Sequence, residues 1–120
     1  MKQTVLAVVE DSAVRAAIKF SLEIEGFVVR AFANSDELLA GDPLPVTACL
    51  LLDNASPRVN GIAMAAALRE RGICFPTILI ATDPSNAIRA QASTMGITLI
   101  EKPLLGNELA ETIWFTLGGN

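Results

Sequence analysis

Five short apolar runs of strand length recur along the chain with almost no polar interruption, at residues 5–9, 27–31, 48–52, 77–81 and 97–100. A strand with one wet face alternates apolar and polar residues. Runs that are apolar at nearly every position suit parallel strands covered on both faces. The segments between them carry helical spacing: Val14, Ile18 and Leu22 with the neighbouring Ala17 form one stripe, and Leu105, Leu109, Ile113 and Leu117 form the last. Glycines fall where each helix should stop, at Gly26, Gly41, Gly72, Gly96 and Gly118. Asn34 with Glu37 has the form of a capping box, and Asp83-Pro84 places a cap acceptor before a first-turn proline. The expected fold is α/β: a (βα)5 chain folded as a doubly wound, parallel, five-stranded sheet. Its 120 residues make one domain, 1–120, without a linker or low-complexity tract. A domain of this size buries about two-thirds of its unfolded surface and needs no staples.

Composition removes several function classes. Thirteen acids against nine scattered bases give a net charge of −4, and no basic patch forms for phosphate neutralisation, so nucleic acid is not expected as a direct partner. Histidine is absent, which removes the commonest general base and the commonest zinc ligand. Cys49 and Cys74 sit beside apolar runs without CxxC spacing and read as two buried thiols in a reducing compartment. The apolar run after Thr4 is too short for a signal-peptide core, and no run approaches a membrane span, so the expected location is cytoplasmic with no membrane partner.

In open parallel sheets, sites form at the carboxyl ends of strands, near the point where strand order reverses. Strand one ends in Glu10-Asp11, strand three in Asp53, strand four in Ala81-Thr82-Asp83 and strand five in Glu101-Lys102-Pro103. Three carboxylates and a lysine therefore gather on one edge. Taken singly, Asp11 reads equally well as a helix cap, Asp53 as a turn cap and Lys102 as a surface lysine. Together these readings are strained. Two like charges about 5 Å apart at an effective dielectric of 20 repel by roughly 3 kcal/mol, and a third carboxylate adds to that. A hard cation among the oxygens removes the difficulty, and Mg²⁺ prefers one or two carboxylates with waters and phosphate oxygens. Lys102 then supplies a point charge for a phosphoryl group.

The stretch from Leu50 to Gly61, in which Asp53 is followed four residues on by Pro57 and eight on by Gly61, resembles the corresponding loop of CheY-like receiver domains of bacterial two-component response regulators. Val9-Glu10-Asp11 resembles the family's acidic pair, and Glu101-Lys102-Pro103 its Lys-Pro signature. The resemblance covers the whole chain, and it implies the flavodoxin-like strand order 2-1-3-4-5. It further implies that Asp53 is the phosphoacceptor, taking a phosphoryl group from a phosphohistidine of a sensor histidine kinase or a phosphotransfer protein. Glu10, Asp11, Asp53 and the backbone carbonyl of Ala55 would hold Mg²⁺, with Glu10 acting through water. Lys102 would contact the phosphoryl oxygens, and the Lys102-Pro103 bond would be cis. Such a domain is not an enzyme beyond its own aspartyl phosphorylation and dephosphorylation.

Three positions depart from the family pattern. The switch Thr or Ser at the end of strand four is Ala81, and Thr82 beside it serves only if the strand has already ended. The switch aromatic three residues before the lysine is Leu99. An arginine commonly stands five residues after the second acid, whereas Arg15 is four after Asp11. Either helix one starts one residue early, which is the preferred reading, or Glu10 takes the inner metal position and Val9 replaces its partner. Asp83, two residues after Ala81, places a further carboxylate beside the phosphoryl site and implies an atypical phosphate lifetime.

After the last helix the chain ends without an output module, as a stand-alone receiver or a piece cut before a linker, so its signal passes to a downstream effector by contact. Trp114 and Phe115 lie on the flank and the far side of the last helix's core stripe and mark a partner surface, with a homodimer through helix four, strand five and helix five as one use of it. A receiver-like interaction module that no longer uses phosphate is the alternative that Ala81 and Leu99 favour. A flavin-binding electron carrier is opposed by Glu10-Asp11, which repels a phosphate, and a related phosphatase needs more chain for a substrate cap.

Overall fold

The computed structural model describes residues 2–54, 60–102 and 107–118. Strands and helices alternate as β1 (Thr4–Val8), α1 (Ser12–Ile24), β2 (Val28–Phe32), α2 (Ser35–Ala40), β3 (Cys49–Asn54), α3 (Gly61–Glu70), β4 (Thr77–Ala81), α4 (Asn86–Thr94), β5 (Thr98–Glu101) and α5 (Glu108–Thr116). The strands form one parallel sheet in the order β2-β1-β3-β4-β5. The expected runs coincide with the strands to within two residues. β3 runs furthest past its apolar run, because Asp53 and Asn54 still pair with Ile80 and Ala81 in the ladder.

The unbroken apolar runs have the expected cause, since alternate side chains enter two different cores. Val5, Ala7, Val9, Cys49, Leu51, Ile78, Ile80 and Ile100 pack under Ile18 and Leu22 of α1 and Leu109 and Ile113 of α5. Leu6, Val8, Leu50, Leu52 and Leu79 face the other way, against Leu38 of α2, Ile62, Ala65 and Leu68 of α3 and Ala92 of α4. At about 0.8 kcal/mol per buried methylene, the two cores supply the dominant stabilisation.

Three helices end in the same way, which explains three of the glycines. After α1, Gly26 at φ 98° donates to the Glu23 carbonyl and Phe27 donates to that of Leu22. Gly72 and Ile73 repeat this pattern on Arg69 and Leu68, and Gly96 and Ile97 repeat it on Ser93 and Ala92. A residue with a Cβ resists such a positive φ, whereas glycine adopts it freely, and the following apolar residue then enters the core. Asn34 caps α2 through Glu37 N at 2.9 Å, and the Glu37 carboxylate accepts from Ala33 N at 2.8 Å.

Two expectations need correction. The cap of α4 is Ser85, whose hydroxyl accepts from Ile88 N at 3.2 Å. Asp83 instead sits at φ 46° in the preceding bend, a conformation that Asp tolerates better than most residues. The cysteines also differ: Cys49 is buried, but Cys74 is exposed. Leu105 of the expected last stripe lies outside the described residues.

Gly61 opens α3 against the sheet, and a Cβ there would meet the Leu79 side chain well inside contact distance. Leu79 is fully buried and has little room to turn. Gly61→Ala is therefore expected to lower stability by about 1–3 kcal/mol, read as a lower urea midpoint. Burial pushes the Cys49 thiol up to about 12. One thiol, that of Cys74, should react with a disulfide reagent at pH 8 in the folded chain, and the second only after unfolding.

Candidate functional site

Alternation in β3 puts Asp53 on the same face of the sheet as Cys49 and Leu51, directly across from Ile80 of β4. The carboxylate is almost fully buried, at 2% exposure. Its Oδ2 accepts from Lys102 Nζ at 3.1 Å. Its Oδ1 is buried with no hydrogen-bond partner among the described residues. Lys102 follows β5 immediately, and its backbone N–H donates to the Ala81 carbonyl at 2.9 Å, so the β4 ladder itself fixes where the lysine leaves the sheet. A buried carboxylate is tolerated when paired, and here the pair joins β3 to the end of β5 across β4.

At the end of β1 the acids have separate roles. Asp11 is the N-cap of α1, its Oδ1 accepting from Ala13 N at 2.9 Å and Val14 N at 3.0 Å. Arg15 reaches back from the first turn, donating to the Val9 carbonyl at 2.8 Å and the Glu10 carbonyl at 3.1 Å. Val9 is fully buried one residue beyond the Val8–Leu52 pair, and therefore stands beside Asp53. Glu10 is exposed and borders a cavity of about 390 Å³ with Asn34, Ser35 and Asn60. The three carboxylates share an edge, but among the described residues no three Cys, Asp or Glu side chains come close enough to hold a metal together. Two orphan N–H groups of α1 engage Asp11 Oδ1.

Thr82 is exposed in the bend just past β4, so the strand has ended where its hydroxyl begins. Ala81 is buried, and Leu99 is half-buried against the core under α3 and α4. The Ala55 carbonyl and the Lys102-Pro103 bond lie outside the described residues. Trp114 and Phe115, 43% and 69% exposed, border a cavity of about 340 Å³ with Glu25 and Phe27. They thus face the end of α1.

Two site features went unread in the sequence. Asn54 follows Asp53 and accepts from Gly61 N at 2.9 Å, tying the end of β3 to the start of α3. Glu101, next to Lys102, pairs with Arg89 of α4. The Asn-to-Gly spacing in the Asp53 loop carried the first signal, and the second, between residues twelve apart, had none.

The unpartnered Asp53 Oδ1 is a hard oxygen donor, of the kind that Mg²⁺ takes. Removing the lysine leaves a buried carboxylate alone. Lys102→Met should cost about 2–3 kcal/mol in urea unfolding, somewhat below a fully buried pair because the lysine is partly exposed. Adding Asp53→Asn should return most of that loss, since the two side chains are coupled.

Solved structures share this architecture. FixJ-N is similar over 98% of this chain and 95% of its own, with a TM-score of 0.84 and 25% identity. The chemotaxis protein CheY4 of Vibrio cholerae shares the fold over 98% of this chain and 100% of its own, with a TM-score of 0.84 and 22% identity. Full-length FixJ from B. japonicum shares it over 98% of this chain but only 59% of its own, with a TM-score of 0.80 and 21% identity. Among curated protein sequences none matches. Residues 5–114 match the model of the response regulator receiver domain, and the chain belongs to that family.

Proposed function

We propose that this receiver domain takes a phosphoryl group on Asp53 and passes a two-component signal onward by contact. The observation that carries this reading is the Asp53 carboxylate: one oxygen is held by Lys102, and the other is buried without a partner. The held oxygen fixes the side chain, and the free one is the nucleophile. Its lone pair forms the O–P bond as the P–N bond of a phosphohistidine breaks, and the leaving imidazole takes up a proton. Lys102 then moves from the carboxylate to a phosphoryl oxygen, keeping its positive charge against the added negative charge.

Glu10, Asp11 and Asp53 are the side chains that would hold Mg²⁺, together with the Ala55 carbonyl. Asp11 Oδ1 accepts from two N–H groups of α1, and Arg15 donates to the Val9 and Glu10 carbonyls, so both acids are held at the end of β1. A cation bound there would supply charge neutralisation at the phosphoryl oxygens. Thr82 is the nearest candidate for the hydroxyl contact that Ala81 lacks. The expected partners are a sensor histidine kinase or phosphotransfer protein upstream and an effector downstream, in the cytoplasm. No helix among the described residues is long and apolar enough to cross a membrane.

Ala81 and Leu99 favour a second reading, a receiver that binds partners without phosphate. Intact-mass analysis after incubation with Mg²⁺ and acetyl phosphate separates the two. A gain of one phosphoryl mass that is labile to alkali, absent in Asp53→Asn and absent without Mg²⁺, is the expected result. No gain with acetyl phosphate or with sensor kinases, in folded protein, would favour the phosphate-independent module.

A further inference from the structure

Asn60-Gly61 is the single Asn-Gly step in the sequence, and it stands at the start of α3. Asparagine is a thermolabile residue, and a following glycine leaves its backbone nitrogen open to approach, because no Cβ shields it. That nitrogen can attack the Asn60 carboxamide, so the step holds its own nucleophile and electrophile. Asn60 is exposed, and it borders the cavity of about 390 Å³ together with Glu10, Asn34 and Ser35.

The fold restrains both reacting groups. Asn60 Oδ1 accepts from Ala63 N at 3.0 Å, which holds the carboxamide over the first turn of α3 as an ordinary cap. The Gly61 N–H donates to Asn54 Oδ1 at 2.9 Å, so its proton is engaged by a second side chain. That second restraint comes from outside the helix. Asn54 closes β3, follows Asp53 and pairs with Ala81 in the ladder. The attacking nitrogen is thus guarded by a residue at the carboxyl edge of the sheet.

We propose that Asn60 is a site of slow self-deamidation and that Asn54 is its gate. When Asn54 releases the Gly61 N–H, hydroxide takes the proton and the nitrogen forms a bond to Asn60 Cγ. The Cγ–Nδ2 bond breaks, and the leaving nitrogen takes up a proton from water and departs as ammonia. Water then opens the cyclic imide at one carbonyl or the other, leaving aspartate or isoaspartate at position 60. Aspartate keeps the cap of α3, since its carboxylate accepts as the carboxamide did. Isoaspartate lengthens the main chain by one methylene and loses it. Either product puts a new negative charge on the cavity that Glu10 borders, so the age of the molecule is written at the edge of the candidate site.

The folded chain, kept in ¹⁸O-labelled water at mildly alkaline pH, should gain ¹⁸O at position 60 over weeks, read by peptide mass spectrometry. Asn54→Leu removes the acceptor at similar size and should speed the gain by about two- to tenfold, the value of one hydrogen bond. Asn54→Asp keeps an acceptor oxygen and should stay within about twofold of wild type. Gly26→Ala strains the positive φ at the end of α1 and lowers global stability away from α3, so it should leave the rate unchanged. Low urea should also leave the wild-type rate nearly flat, because a local opening exposes little surface. Circular dichroism checks that each variant is folded, and the urea dependence of the wild type decides the matter if Asn54→Leu is not. An Asn54→Leu rate equal to that of the wild type would overturn the proposal. So would a rate that climbs with urea as steeply as global unfolding, or one that Gly26→Ala raises as much as Asn54→Leu does. Absence of label at position 60 from both wild type and Asn54→Leu would overturn it as well.

Discussion

The pair between Asp53 and Lys102 is the constraint around which the carboxyl edge of the sheet is arranged. A carboxylate at 2% exposure is costly unless a cation stays within reach, and the cation comes from the far side of β4. The backbone hydrogen bond from Lys102 to Ala81 makes that reach reproducible, because the ladder sets the starting point of the lysine side chain. The pair is held on one oxygen only. The other oxygen has the desolvation of a buried group without its compensation.

Much of this edge was legible because polar residues ended apolar runs. Asp53 and Lys102 could be placed at the site from strand order alone, since a charge that terminates a buried parallel strand has only the carboxyl edge to occupy. Glycine stops were legible for a similar reason, as three of them serve one hydrogen-bonding pattern that admits little else. Caps were harder. Asp83 and Ser85 are both good acceptors, and the choice depended on which backbone turned toward the helix, which residue types do not reveal. Cys74 was misjudged by composition: Ile73 and Phe75 pack on the core on either side of it, so alternation sends the thiol outward. Asp11 was the most instructive case. Cap and metal ligand call for the same side chain at the same strand end, and the hydrogen bonds from Ala13 N and Val14 N identify the cap.

The replaced switch positions move attention to Glu101. It lies one peptide bond from Lys102 and is paired with Arg89 of α4, with both side chains 47% exposed. An exposed pair of this kind contributes at most about 1 kcal/mol to stability. Its small value makes it easy to break and remake, and any displacement of Lys102 toward a phosphoryl group acts first on its neighbour. α4 is thereby connected to the site by a polar contact, whereas the Leu99 side chain is packed among apolar neighbours and offers no such contact.

The two sides of the sheet are unequal in a way that bears on how the signal leaves. Each side has a closed core, yet the large exposed hydrophobic residues on helices, Phe20, Ile24, Trp114 and Phe115, all lie on α1 and α5 among the described residues. A chain that is 52% hydrophobic has more apolar surface than two cores absorb, and here the surplus is placed on one side rather than spread. Alternation along β3 sends the Asp53 side chain toward that same side. Asp53 and the exposed apolar residues of α1 and α5 therefore border one layer of the molecule, which holds Ile80, Ile100 and Ile113. A close-packed layer transmits a displacement instead of absorbing it, so a change at Asp53 reaches the side of the sheet that carries these exposed apolar residues.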